Sequence, residues 1–284
     1  MKQASVIILA GQSNAVGVGH VPYLPKHFSP EKVAEFRAGY PNVPINYFSH
    51  DKRSGGFVPT GLNCAELTKD TLGPEVGMAE ILNSRCPEER LFIVKCAVGG
   101  TSMWRDFISP SCGDGYDPTS YADQVESITY AVDHGLPLRP AWLYNELVKI
   151  TRESLDMLRG QGYDPVIKGF CWMQGEADSF EPALVAEYGR RFAAMISDFT
   201  AAVAPCADGM TVVDAGISAI WPLYREINGI KAAYAAAHGG VYLDTVGRGL
   251  TTANEPEGAV DIYHYDSGST VELGRMFAEA VLGE

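Results

Sequence analysis

The chain has 284 residues, 46% of them apolar and 20% charged, with a formal net charge of −13. That length supports one large α/β domain or two modest ones, with a core that needs no disulfides or metals. So acidic a balance argues against nucleic acid or an anionic membrane as main partners and suits an uncharged substrate such as a sugar or an ester.

Taken in chain order, five apolar, β-branched runs read as strands: "SVIILA" at 5–10, "RLFIVKCA" at 90–97, "VIKGFCWM" at 166–173, "MTVVDAGI" at 210–217 and "VYLDT" at 241–245. They are continuous rather than alternating, the pattern of strands buried on both faces. Helical patterns fall between and after them. "PEVGMAEILNSRC" opens on proline and glutamate, a favourable helix start. "AWLYNELVKITRESLDMLRG" is long and amphipathic and ends at glycine. "EPALVAEYGRRFAAMISDFTAAV", "LYREINGIKAAYAAAHGG" and the closing "SGSTVELGRMFAEAVLG" complete the set. Alternating strands and helices predict a three-layer α/β/α sandwich with a mostly parallel central sheet. The reading is of a single domain over 1–284, with irregular insertions at about 20–72 and 101–139, each following the carboxyl end of a predicted strand. Ligands bind at that edge of open α/β sheets, and long insertions there are often lids or binding loops.

No apolar run approaches the roughly 18 residues of a membrane span. "VIILA" is too short for the core of a signal peptide. The compartment stays open: cytoplasmic as the chain stands, secreted or periplasmic if a leader was trimmed. Cys64, Cys86, Cys96, Cys112, Cys171 and Cys206 form no CxxC pair and no zinc spacing, so they read as reduced thiols.

Four stretches carry candidate chemistry. In "LAGQSNAVG", Ser13 stands just past a buried strand, and Gly11, Gly17 and Gly19 let the backbone turn tightly. Ser13 is either a nucleophile presented at the sheet edge or the N-cap of a following turn. The surroundings are not a GxSxG elbow. In "VKCAVGGTSMW", Gly99 and Gly100 offer backbone N–H groups at the same edge, as an oxyanion hole requires, or make an ordinary turn. In "FCWMQGEAD", Gln174 is placed to aim amide hydrogens into a cleft, while Glu176 and Asp178 bind substrate, orient a neighbour or cap a helix. In "AVDIYHYDSGS", Asp261 and His264 stand three apart, which puts them on one face of a turn. A carboxylate on the second ring nitrogen fixes a histidine's tautomer and stabilises its imidazolium.

"GQSNAVG", "VGGTSMW", "WMQGEAD" and "DIYH" together resemble the sequence blocks of the SGNH (GDSL-like) hydrolase superfamily. "GQSN" in place of GDS and "QGE" in place of the asparagine block are similar to carbohydrate esterase family 6, the sialate O-acetylesterase and acetylxylan esterase branch. "LGPEVGMAEIL" resembles the segment between the first two blocks, so the likeness runs over nearly the whole chain. It implies an α/β/α sandwich and two-step deacetylation of a carbohydrate. Ser13 would be the nucleophile, His264 the general base and Asp261 its orienter. The oxyanion donors would be the Ser13 N–H, an N–H of Gly99 or Gly100, with Gly100 preferred, and the Gln174 side chain. Gln12, Asn14, Trp104 and Glu176 are candidates for substrate contact. No metal or organic cofactor is implied.

Two other readings stay open. One is a superfamily lipase or thioesterase of other acyl preference; the other is a non-catalytic carbohydrate-binding relative. Tyr116 and Tyr121, like Trp104, either stack on a sugar or pack their loop. Asp114, Asp117 and Asp123 lack an EF-hand pattern. His20, His27, His50, His134 and His238 have no distinguishing spacing, and Trp142, Trp172 and Trp221 read as core.

Overall fold

The computed structural model describes residues 2–50, 52–62, 70–112, 135, 140–252 and 255–284. The principal strands are β1 (Lys2–Gly11), β2 (Tyr40–Ser49), β3 (Leu91–Ala97), β4 (Tyr163–Met173), β5 (Thr211–Ala215) and β6 (Val241–Leu243). They form a parallel sheet in the order β6-β5-β4-β1-β3-β2, extended beyond β2 by the antiparallel pieces Lys52–Arg53 and Val58–Thr60. Strand β1 sits near the middle of this sheet, and its apolar run is buried on both faces as the sequence predicts.

The helices that matter here are α1 (Ser13–Val16), α2 (Pro30–Ala38), α3 (Glu75–Arg85), α4 (Trp142–Gly160), α5 (Pro182–Val203), α6 (Tyr224–His238) and α7 (Ser267–Leu282). Strand β4 shows how they divide between the two faces. Consecutive residues of a strand point to opposite sides. Phe170 meets Phe199 of α5 with ring centroids 5.0 Å apart. Gly169 lies so close to Val281 of α7 that a β-carbon there would come within 2.4 Å of it. Helices α5 and α7 therefore cover opposite faces. Helix α4 packs beside α5, and α3 beside α7. This is the three-layer α/β/α sandwich expected from the sequence.

One expectation is corrected. Residues 20–72 are not simply an irregular insertion, because they supply α2 and the parallel strand β2. Pro41 and Pro44 disguise that strand in the sequence, since proline cannot donate to a ladder. They are tolerated where the Tyr40–Ser49 pairing with Val58–Thr60 is irregular. Of the second insertion only 101–112 and 135 are described; Tyr116, Tyr121, Asp114, Asp117, Asp123 and His134 lie outside the described residues, as does Cys64. Cys86, Cys96, Cys112, Cys171 and Cys206 are free thiols, and burial pushes those of Cys96 and Cys171 far above their ordinary range.

Trp142 and Trp172 are core, as expected. Trp221 is not. It is only partly buried, flanked by exposed Phe180 and Tyr263.

Candidate active site

The register of the sheet assembles the site. Gly11 at the end of β1 pairs with Ala97 at the end of β3 and with Met173 at the end of β4. Three strands thus stop at one level, and the stretches that follow, 12–16, 98–104 and 174–180, emerge side by side. Close approach at this level requires glycine. The φ of Gly11 is +147°, and a β-carbon there would sit 1.9 Å from the Met173 carbonyl oxygen.

Helix α1 begins at Ser13, with Gln12 as the residue before it and no side-chain capping bond. Ser13 is therefore not an N-cap, and its hydroxyl has no hydrogen-bond partner among the described residues. The side chain is half-buried, within reach of solvent. The end of α1 is fixed from below. Lys95 of β3, fully buried, donates to the Val16 carbonyl at 2.6 Å and to Glu75 Oε2 at 2.7 Å. Burial raises the Glu75 carboxyl, and the Lys95 ammonium opposes that rise.

His264 and Asp261 form the expected pair, with Nδ1 and Oδ2 2.6 Å apart. Both side chains are about a quarter exposed. Partial burial favours the neutral Asp261 carboxyl, but hydrogen bonds from His264 and from the Tyr263 and His264 backbone outweigh it and hold the group below its ordinary value. The pair sits in a hollow lined also by Val18, His20, Glu255, Tyr265 and Asp266. Asn14 joins this segment to α1. Its Oδ1 accepts the Tyr265 N–H at 3.1 Å, and its Nδ2 donates to Glu176 Oε1 at 2.8 Å. Ser13 and His264 each lie one residue from that bond.

Gln12, Asn14, Glu176 and Gln174 are each hydrogen-bonded within the protein. All four are buried. Gln174 does not aim its amide into an open cleft. Its Nε2 lies 2.6 Å from Asp178 Oδ2, 3.0 Å from the Thr101 carbonyl and 3.3 Å from Gln12 Oε1. Two hydrogens facing three acceptors leave none for an oxyanion. Gln174 is a strut tying the three strand-end loops together, assisted by Asp178, which also accepts the Met103 N–H at 3.0 Å. Burial raises the Asp178 carboxyl to about 6 against the lowering effect of those bonds. Gln12 accepts the Ala177 N–H through Oε1 at 3.2 Å. Glu176 is fully buried, with Oε2 lacking a partner among the described residues and its carboxyl raised by desolvation. Asn14 and Glu176 thus join the loop after β1, the loop after β4 and the His264 loop.

Trp104 is also otherwise engaged, with the Arg191 guanidinium 3.9 Å from its ring centroid. Gly100 adopts the left-handed region at φ +66° and is partly exposed, whereas Gly99 is buried. Sequence reasoning missed the supports of the His264 loop. His27 Nε2 bonds Glu255 Oε1 at 2.8 Å, the Tyr23 hydroxyl accepts the Glu257 N–H at 2.6 Å, and the Ser267 hydroxyl bonds Glu255 Oε2. These residues lie more than 200 positions apart or in a loop without periodicity. Among the described residues no group of three His, Cys, Asp or Glu side chains has metal-binding geometry, and no helix is long and apolar enough to cross a membrane.

A family model described as carbohydrate esterase, sialic acid-specific acetylesterase, matches residues 3–283. The chain belongs to this family. The sequence resemblance to the sialate O-acetylesterase branch is thereby borne out, and with it membership of an esterase family. Among solved structures, the chain is similar to NanS (18% identity, TM-score 0.68, covering 99% of this chain and 97% of that one). It is also similar to a protein from Arabidopsis thaliana (19% identity, TM-score 0.60, 99% of each chain). A third is XAC1771, a carbohydrate acetylesterase from Xanthomonas citri (15% identity, TM-score 0.56, 99% of this chain and 57% of that one). At these identities the likeness establishes the fold. No match to a curated protein reaches significance.

Proposed function

We propose that the chain is a serine esterase that removes O-acetyl groups from carbohydrate through an acyl-enzyme. The observation that carries this reading is the Asp261–His264 pair, bound at 2.6 Å and tethered to the Ser13 turn through Asn14 and Tyr265. Membership of a carbohydrate esterase family over residues 3–283 supports it.

His264 takes the proton of the Ser13 hydroxyl as that oxygen attacks the acetyl carbonyl, and Asp261 stabilises the imidazolium. The developing oxyanion is held by the backbone N–H groups of Ser13 and Gly100. Neither has a hydrogen-bond partner among the described residues, and fixed donors of this kind need no reorganisation during the reaction. The carbon–oxygen bond to the sugar then breaks, and the sugar alcohol leaves with the proton from His264. Water, deprotonated by His264, attacks the acetyl-serine and releases acetate. The Gln174 amide serves this centre by positioning the loops, not by donating to the oxyanion.

The test is acetate release from 4-nitrophenyl acetate, acetylated xylan and acetylated sialosides, with the parent and Ser13→Ala compared. The expected result is turnover of acetyl esters by the parent and its loss in the variant. Preference for long acyl chains favours the lipase-like reading, and absence of turnover favours the binding relative.

A further inference from the structure

Single exposed apolar side chains are ordinary, but a contiguous group of them marks a binding surface. Here two large aromatics stand beside the His264 loop: Phe180 is 44% exposed and Tyr263 is 51% exposed. Between them lies Trp221. Its ring meets Phe180 edge-on at 5.6 Å and Tyr263 at 5.4 Å. The three rings come from three loops, those following β4 and β5 and the one before α7, all at the carboxyl edge of the sheet. Bonds from backbone N–H groups hold Tyr263 to the candidate catalytic pair and the other two loops to each other. Tyr263 is the neighbour of His264 in sequence, and its N–H donates to Asp261 Oδ1 at 2.8 Å. The Ser179 carbonyl, one residue before Phe180, accepts the Leu223 N–H at 3.2 Å.

We propose that Phe180, Trp221 and Tyr263 form the subsite for the leaving sugar, stacking on the C–H face of the pyranose ring whose acetyl group is presented to Ser13. This deepens the esterase reading and rests on it. A pyranose has an apolar face and a polar rim, and aromatic rings beside open water offer the matching surface. The alternative aromatic, Trp104, already has the Arg191 guanidinium over its ring at 3.9 Å. Ile262 and Ile220, exposed beside Tyr263 and Trp221, extend the same apolar rim.

The experiment compares kcat/KM for a mono-O-acetylated methyl glycoside with kcat/KM for ethyl acetate, which has no ring to stack. It uses the parent, Phe180→Ala and Trp221→Ala. The ratio of sugar ester to ethyl acetate is expected to fall about tenfold in each variant, chiefly through KM. Trp221→Phe, which keeps a ring, should recover part of the loss. Phe180, on the exposed rim, serves as the variant least able to disturb folding. An unchanged ratio, or an equal fall on both esters, overturns the proposal. A parent inactive on both esters counts against the esterase reading instead. Saturation-transfer NMR with the deacetylated methyl glycoside then decides the subsite separately. Saturation transfer to the sugar ring in the parent that disappears in Phe180→Ala supports it, and no transfer in the parent overturns it.

Discussion

The side-chain oxygen of Asn14 accepts the Tyr265 N–H at 3.1 Å across 251 residues of sequence, while its amide nitrogen donates to Glu176 at 2.8 Å. One buried side chain thus ties the turn after β1 to the loop of the Asp261–His264 pair and to the loop after β4. Asn14→Ala removes both bonds and takes from the buried Glu176 carboxyl its side-chain hydrogen-bond partner. The expected cost is about 2 kcal/mol of stability. If Asn14 aligns Ser13 and His264, kcat for acetyl esters falls more than KM changes, because alignment matters most in the transition state. Denaturant midpoints and steady-state kinetics on the same preparation check both.

Lys95 supports the Ser13–Val16 turn from the core. It is paired with Glu75 where neither group sees water. Lys95→Met leaves a carboxyl buried and unpaired, at a cost of about 3–5 kcal/mol. Lys95→Met combined with Glu75→Leu should recover much of that stability without restoring the bond to the Val16 carbonyl. Equal unfolding free energies for the single and double variants would contradict this coupling.

The strand-end sites show what the sequence discloses and what it hides. The runs around Ile7, Val94 and Phe170 are apolar on both faces, so buried parallel strands are readable from them. That Gly11, Ser13 and Gly100 stand at the sheet edge follows from where those strands stop, and that Asp261 and His264 share one face follows from their spacing; the roles given to them come from the family resemblance. Strand β2 is masked by Pro41 and Pro44, because propensity opposes a pairing that tertiary context enforces. The direction of the Gln174 amide is hidden for another reason. It depends on the Thr101 carbonyl 73 residues away and on Gln12, 162 residues away. Trp221 reads as core because hydropathy does not distinguish an aromatic ring buried in the interior from one at the edge of the core between two exposed rings.

Asp178 gives a pH-dependent signature. Its carboxyl is raised to about 6 in the folded chain, against 3.8 ordinarily. The native state therefore binds more protons than the unfolded state between these values, and this group's contribution to stability declines as pH rises from 4 to 6. In Asp178→Asn that contribution is absent. The stability of the variant relative to the parent should rise by on the order of 2–3 kcal/mol over that range. Urea unfolding of both proteins at pH 4, 5 and 6 measures it, and a difference independent of pH would count against the assignment.

Asp261 is held below its ordinary value by His264 and backbone bonds. Asp261→Asn presents an amide to Nδ1 and favours the wrong tautomer of His264. A fall in kcat on the order of 10³-fold is expected, with His264→Ala at least as severe. The two losses should not add in the double variant, because the residues act as one unit. Kinetics of the three variants on 4-nitrophenyl acetate report this directly.

The central claim, that Ser13 is the nucleophile, is tested most directly by reaction with a 4-nitrophenyl phosphonate ester followed by peptide mass mapping. The expected result is one phosphonyl group per chain, located on Ser13, with activity lost in proportion to labelling and no label in Ser13→Ala. Labelling of a different residue in step with inactivation, or full esterase activity in a chain lacking the Ser13 hydroxyl, would contradict it.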